Sequence, residues 1–185
     1  VETVAAMNML MLPDRTLFIC DTYVNFDPTP EQITEMTVLA AEEVRRFGVV
    51  PRVALLSHAN FGDDDSPTSI KMRDALALLE GLNPGFEVDG EMHGDAALYA
   101  KQRAVLMPRC ALEGDANLLV FPTLDAANIA YNLLKIAAGG GIAWFVTQSL
   151  LFAGIGGVIG FMLALLGGLG SRFARTSSRN HGGWV

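Results

Sequence analysis

The sequence predicts an α/β fold with a largely parallel sheet covered on both faces. Two observations carry this. Four short aliphatic and β-branched runs recur along the chain, LFICDTYV (17–24), RVALLSHA (52–59), FEVDGEM (86–92) and NLLVFPTL (117–124), and a helix-start signal follows each. The runs are close to continuously apolar rather than alternating, which is the pattern of strands buried on both faces, and strand–helix alternation builds parallel sheets. A length of 185 residues suffices for one domain with a real core.

The elements follow in order. After the first run, Thr29-Pro30-Glu31-Gln32 supplies an N-cap, a proline at the first helical position and a glutamine at the third, a capping-box arrangement. Ile33, Met36, Ala40, Val44 and Phe47 then share one face at helical spacing, and Gly48 ends the helix. Ser66-Pro67 repeats the device before a helix expected to reach about Glu80. Asp95 and Asp125 are expected to cap two more helices. From Ile136 to Ser171, 36 residues carry no charge and glycine is frequent. The chain is therefore divided into a body over 1–143, an apolar helix over 144–171 and a basic polar tail over 172–185. The opening VETVAAMNMLMLP lacks an initiator methionine and a basic n-region, so it is not read as a secretory signal; it reads as a chain entered midway.

Composition excludes several function classes. All 20 acidic residues precede Lys135, whereas three of the 13 basic ones, Arg172, Arg175 and Arg179, lie in the tail. An acidic body is a poor surface for nucleic acid, whose binding rests on replacing counterions with basic side chains. Cys20 and Cys110 stand in or beside apolar runs without a CxxC or Cys/His spacing, so no zinc site is expected.

In an open parallel sheet, ligands gather at the carboxyl ends of the strands. The polar loops lie there: Asp21, Thr22 and Asn25, then Ser57 to Asp65, Asp89 to Asp95, and Pro122 to Asn128. Ser57 and His58 are neighbours on an extended segment and point to opposite faces, so they are not expected to form a nucleophilic pair. Asp63-Asp64-Asp65 reads as a solvated face at a helix entrance rather than a cation site. His93 reads as a structural histidine, and Cys20 and Met92 as core.

At these same loops the chain resembles the phosphate acetyl/butyryltransferase-like domain of large bacterial NADP-dependent malic enzymes. The likeness rests on FICDTYVNFDPTPEQ (18–32), VALLSHANFGDDDSP (53–67), EVDGEMHGDAAL (87–98) and ANLLVFPTLDAANIAYNLLK (116–135), and covers about residues 1–143. It is also similar to phosphotransacetylases, with Ser57-His58-Ala59-Asn60-Phe61-Gly62 where those typically carry a Ser-Phe-Ser-Thr-Lys-Gly type loop, and Glu91-Met92-His93 where they favour Glu-Leu-Gln. The resemblance implies a three-layer α/β/α sandwich of the isocitrate dehydrogenase and phosphotransacetylase type, truncated here. It implies an acetyl-CoA-responsive regulatory role, a homo-oligomeric cytoplasmic parent, and NADP and a divalent metal held in other parts of that parent. Neither malate-dependent NADP reduction nor acetyl transfer is expected of this chain.

The ligand site is expected across the carboxyl ends of the strands, near Ser57, Asn60, Gly62, Asp89 and Asp125. Three strand–helix turns carry these residues, and backbone amides at the following helix starts can meet CoA phosphates. Gly62 is expected to permit close backbone approach. Two rival readings remain: a phosphate acyltransferase, and a membrane-tethered interaction module. The second rests on Phe145 to Leu169, long enough to span a bilayer, with Gly156, Gly160, Ala164 and Gly168 forming a small-residue stripe. The positive-inside rule would place the body outside the cell, so the tail is expected to derive from a fusion, frameshift or gene-boundary error.

Overall fold

A computed structural model describes residues 3–138, and the segments over 144–171 and 172–185 lie outside the described residues. The element order is β1 (Met7–Met11), β2 (Thr16–Cys20), α1 (Pro30–Arg46), β3 (Arg52–Leu56), α2 (Pro67–Leu82), β4 (Glu87–Met92), α3 (Gly94–Leu98), α4 (Ala100–Leu106), β5 (Leu118–Val120) and α5 (Leu124–Ala137). The strands form one sheet in the order β1-β2-β5-β3-β4. β2, β5, β3 and β4 pair in parallel, and β1 adds antiparallel to β2 at the edge. The fold is the expected three-layer α/β/α type.

Alternation along the strands sorts the core into two layers. Phe18, Cys20, Val53, Leu55, Leu118 and Val120 face α1 and α2, meeting Ile33, Met36, Ala40, Val44, Met72, Ala75 and Leu79. Ala54, Leu56 and Leu119 point the other way, towards Met92, Ala96, Ala97, Leu112 and Ala116. Because residues of both parities are buried, the strands read as continuous apolar runs in sequence.

The capping box is present. Thr29 Oγ1 accepts the Gln32 N–H at 3.3 Å, and Gln32 Oε1 accepts the Thr29 N–H at 2.9 Å. Gly48 follows the helix at φ +76°. Ser66 caps α2, accepting the Ser69 N–H at 3.4 Å. Three details depart from the sequence reading. Phe47 is half exposed, since it caps the helix rather than continuing its apolar face. Asp95 and Asp125 lie inside the first turns of α3 and α5; His93 and Thr123 hold the N-cap positions, and Thr123 Oγ1 accepts the Ala126 N–H at 3.3 Å. Strand β1 was not anticipated, because MNMLM carries no alternation strong enough to mark a strand.

Gly90 is fixed by packing. Its φ is +156°, and a Cβ there would lie 2.6 Å from the Leu55 carbonyl oxygen. The close approach brings β4 against β3 beside the register shift at Leu55/Leu56, where the polar loop begins.

Candidate ligand site at the carboxyl edge of the sheet

A cavity of about 740 Å³ opens on the second face of the sheet. Leu56 and Leu119 form its floor, Gly94, Asp95 and Leu98 of α3 one wall, and Ala126, Ala130, Leu133 and Leu134 of α5 the other. Ser57, His58, Thr68 and Thr123 bring polar groups to it from the carboxyl ends of β3 and β5 and the start of α2. An apolar chamber with a few convergent polar groups is the usual build of a small-molecule site.

Of the five residues picked from sequence, Ser57 lines this cavity, whereas Asn60, Gly62, Asp89 and Asp125 are not among its lining. Ser57 Oγ lies 3.0 Å from Ser69 Oγ, and the His58 ring meets Asp64 at 3.2 Å. Both side chains line the cavity, and they reach one cluster from two sides, since Ser69 Oγ also donates to Asp64 Oδ2 at 3.4 Å; each takes its own partner there rather than the other. Asn60 sits in the same loop and is bound to His93. Gly62 has φ +87°, a left-handed turn that favours glycine, with no protein atom within 4 Å of where a Cβ would stand. Its N–H donates to Glu91 Oε1 at 2.9 Å. Asp89 turns to the α4–β5 connection, where its carboxylate accepts the Ala111 N–H at 2.6 Å. Asp125 is exposed on the first turn of α5.

Sequence reading missed Glu91 and Arg73. Glu91 is fully buried and takes Arg73 Nη1 at 2.9 Å. Arg73 also donates to the Asp64 carbonyl at 2.8 Å and to Asp65 Oδ1 at 2.7 Å. The bond to Glu91, more than its neighbours, holds the Arg73 guanidinium above its ordinary pKa. The loop from Ser57 to Ser66 is therefore tied at several points: Phe61 N–H to the Glu91 carbonyl at 2.7 Å, Gly62 to the Glu91 side chain, and residues 64 and 65 to Arg73. Hydrogen bonds from Ser66 push the Asp64 carboxyl below its usual range, so Asp64 acts as a turn anchor. Glu91 lies within the Asp89–Asp95 stretch of the sequence, but its burial, which is what demands a cationic partner, follows only from the folded structure.

Asp21, also singled out in sequence, is buried and organises the neighbouring loop. Oδ1 accepts N–H groups of Ala6, Tyr23 and Val24 at 3.1, 3.0 and 3.2 Å; Oδ2 accepts the backbone and side-chain N–H groups of Asn25 at 2.8 and 2.6 Å. The thiols offer no nucleophile at neutral pH. Burial pushes Cys20 up to about 12, with Asp21 adding to it, and burial pushes Cys110 up to about 11; the reactive species is the thiolate. Among the described residues no group of three His, Cys, Asp or Glu side chains could hold a metal ion. No helix among them is long and apolar enough to cross a membrane.

A second cavity, about 460 Å³, lies at the opposite, amino end of the sheet and is lined by Asp14, Arg15, Arg52 and Asp115 among others. Its cations are engaged: Arg15 pairs with Asp14 and Asp115, each at 3.0 Å, and Arg52 Nε donates to the Asp115 carbonyl at 2.9 Å.

Comparison with known proteins agrees with this architecture. Residues 1–143 match the family model for phosphate acetyl/butaryl transferase. The chain is 54% identical over 142 residues to an NADP-dependent malic enzyme of Escherichia coli (strain K12), covering 77% of this chain and 19% of that protein. It is 52% identical over 131 residues to an NAD-dependent malic enzyme of Rhizobium meliloti (strain 1021), covering 71% and 17%. Among solved structures, the EutD phosphotransacetylase from Staphylococcus aureus superposes with a TM-score of 0.69 at 29% identity, over 73% of this chain and 42% of that one. The chain thus spans about a fifth of the length of the malic enzymes it matches. The largely parallel sheet, the matched family model over 1–143 and the identity to malic enzymes make this chain a member of the phosphate acetyl/butaryl transferase family, similar to the phosphotransacetylase-like part of malic enzymes.

Proposed function

We propose that the chain is a ligand-responsive regulatory domain of a malic enzyme, binding acetyl-CoA or a related acyl thioester at the carboxyl edge of the sheet. The observation that carries this reading is the 740 Å³ cavity between α3 and α5, with polar groups at its edge and apolar walls below. Its walls suit a short acyl group and the thioester arm, and the N–H groups of Thr68 and Asp125 in the first turns of α2 and α5 suit phosphate oxygens, those of Ser69, Leu124 and Ala126 being bonded within the chain. Ser57, Asn60 and Gly62 shape the loop beside it, and Asp125 stands at the start of one wall; Asp89 supports the segment that follows α4. In the parent, NADP and a divalent metal belong to hydride-transfer parts to which these residues do not contribute. A cytoplasmic setting and a homo-oligomeric parent complete the proposal.

Acyl transfer to phosphate is the lesser reading. It needs positive charge to hold an acyl phosphate dianion and a group to orient the thiol, and among the described residues lining the cavity there is neither lysine nor arginine.

Calorimetric titration with acetyl-CoA tests the proposal. Weak but saturable binding is expected in the 185-residue chain, and its loss in Ala130→Trp, where an indole fills the cavity from α5. Heats that do not saturate, or equal affinity in a variant that melts at the same temperature, would overturn the assignment.

A further inference from the structure

Asn60 and His93 join the 57–66 loop to the junction between β4 and α3 through two parallel hydrogen bonds. Asn60 Oδ1 accepts the His93 backbone N–H at 2.9 Å, and Asn60 Nδ2 lies 3.1 Å from His93 Nδ1. The other ring nitrogen, Nε2, lies 2.6 Å from the His58 carbonyl oxygen. A carbonyl can only accept, so Nε2 carries the proton of the neutral ring and donates it, which leaves Nδ1 as the acceptor that the Asn60 amide requires. Every polar group in this arrangement is matched while the ring is neutral.

Protonation breaks the match. An imidazolium is a donor at both nitrogens, so His93 would present Asn60 with two donors, its backbone N–H and Nδ1–H. A carboxamide has one accepting and one donating end. Turning the amide over moves the conflict from the ring to the backbone N–H and does not remove it. We infer that Asn60 and His93 form a proton-operated latch on the 57–66 loop, closed while His93 is neutral and released when its ring takes up a proton.

The charged groups around the pair come from the loop, from both sides of His93 and from α2. Asp63 Oδ1 already accepts the Asn60 N–H at 2.9 Å. Glu91 Oε1 is engaged by Gly62 and Arg73, and Asp95 accepts from Ala96 and Gln102. Arg73 is held by Glu91 and Asp65. His58 acts in the opposite sense: its ring faces Asp64 at 3.2 Å, and protonation would strengthen that exposed pair, an effect of small worth. The released form binds one proton more than the latched one, so lowering the pH favours release and raising it favours the latch. Because Ser57 and His58 line the cavity, the latch would couple proton concentration to the shape of its edge.

Hydrogen exchange read as protection factors for residues 59–63 of the 185-residue chain tests this without any ligand, so its outcome is separate from that of the acetyl-CoA titration. Protection of the Phe61 and Gly62 amides is expected to fall by about tenfold between pH 8 and pH 5.5, the equivalent of roughly one hydrogen bond. In Asn60→Asp the carboxylate offers two acceptors and suits the imidazolium, so protection should hold or rise over the same interval. In His93→Gln, which does not titrate, it should stay level. Wild-type protection that is unchanged, a fall that persists in His93→Gln, or a fall in Asn60→Asp like that of the wild type would each overturn the latch.

Discussion

Arg103→Met is expected to lower stability by about 3 kcal/mol, a fall in Tm of roughly 10 °C, because four carbonyls each lose a donor together. The Arg103 side chain is almost fully buried, and its guanidinium meets backbone rather than a carboxylate. Nη1 donates to the carbonyls of Ala96 and Ala97 at 2.9 and 3.2 Å, and Nη2 to those of Leu112 and Gly114 at 3.1 and 2.5 Å. A planar fork with five donors can staple the end of α3 to the segment before β5 in this way. Arg103→Lys should recover part of the loss, since an ammonium keeps the charge but cannot reach both pairs of carbonyls. Leu98 and Asp95 of α3 line the cavity, so the methionine variant should also weaken ligand binding at temperatures where the fold persists. Chemical denaturation checks the stability effect; a change below about 0.5 kcal/mol, the range of an ordinary surface substitution, would show that this guanidinium is not the staple.

Asp21→Ala is expected to cost a comparable amount, about 3 kcal/mol, by leaving N–H groups of Ala6, Tyr23, Val24 and Asn25 without their acceptor. Hydrogen bonds from N–H groups to a carboxylate are also stronger than those between neutral partners. The damage should spread to the other wall of the cavity. Asn128 Nδ2 donates to the Thr22 carbonyl at 3.1 Å, and the Leu124 N–H donates to the Phe26 carbonyl at 3.0 Å, so the loop after β2 holds the start of α5. Asp21→Asn keeps the shape but substitutes a donor for one acceptor and should lie between the two. Denaturant midpoints of the three proteins give the order; a loss below about 0.5 kcal/mol in Asp21→Ala would show that this carboxylate is not the loop's anchor.

The parts of the fold legible in sequence are those where a local rule and the tertiary structure agree. Thr29-Pro30 and Ser66-Pro67 announce α1 and α2 because an N-cap followed by proline has the same geometry in a peptide as in the domain. The four parallel strands show themselves through burial on both faces. Strand β1 does not, since its pairing with β2 depends on the Pro13-Asp14 turn that returns the chain, where the Leu12 N–H donates to the Arg15 carbonyl at 2.8 Å. A turn signal between two apolar runs could have marked that hairpin. For the candidate site, the carboxyl-edge rule points to Ser57, which lines the cavity, but loop residues such as Asn60, Gly62 and Asp89 satisfy backbone and side-chain partners whose positions are set by distant strands. Arg103 and the Glu91–Arg73 pair were illegible for the same reason: their meaning lies in what surrounds them, and neither charge has a partner in its own local pattern.

The measurement that bears most directly on the central claim is a hydrogen-exchange footprint of the 185-residue chain with and without saturating acetyl-CoA at pH 8. Added protection is expected in 57–62, 94–98 and 123–134, the segments that enclose or border the cavity at the carboxyl edge. Protection confined to 14–16, 49–52 and 115–117 would place the ligand in the cavity at the amino end and contradict it.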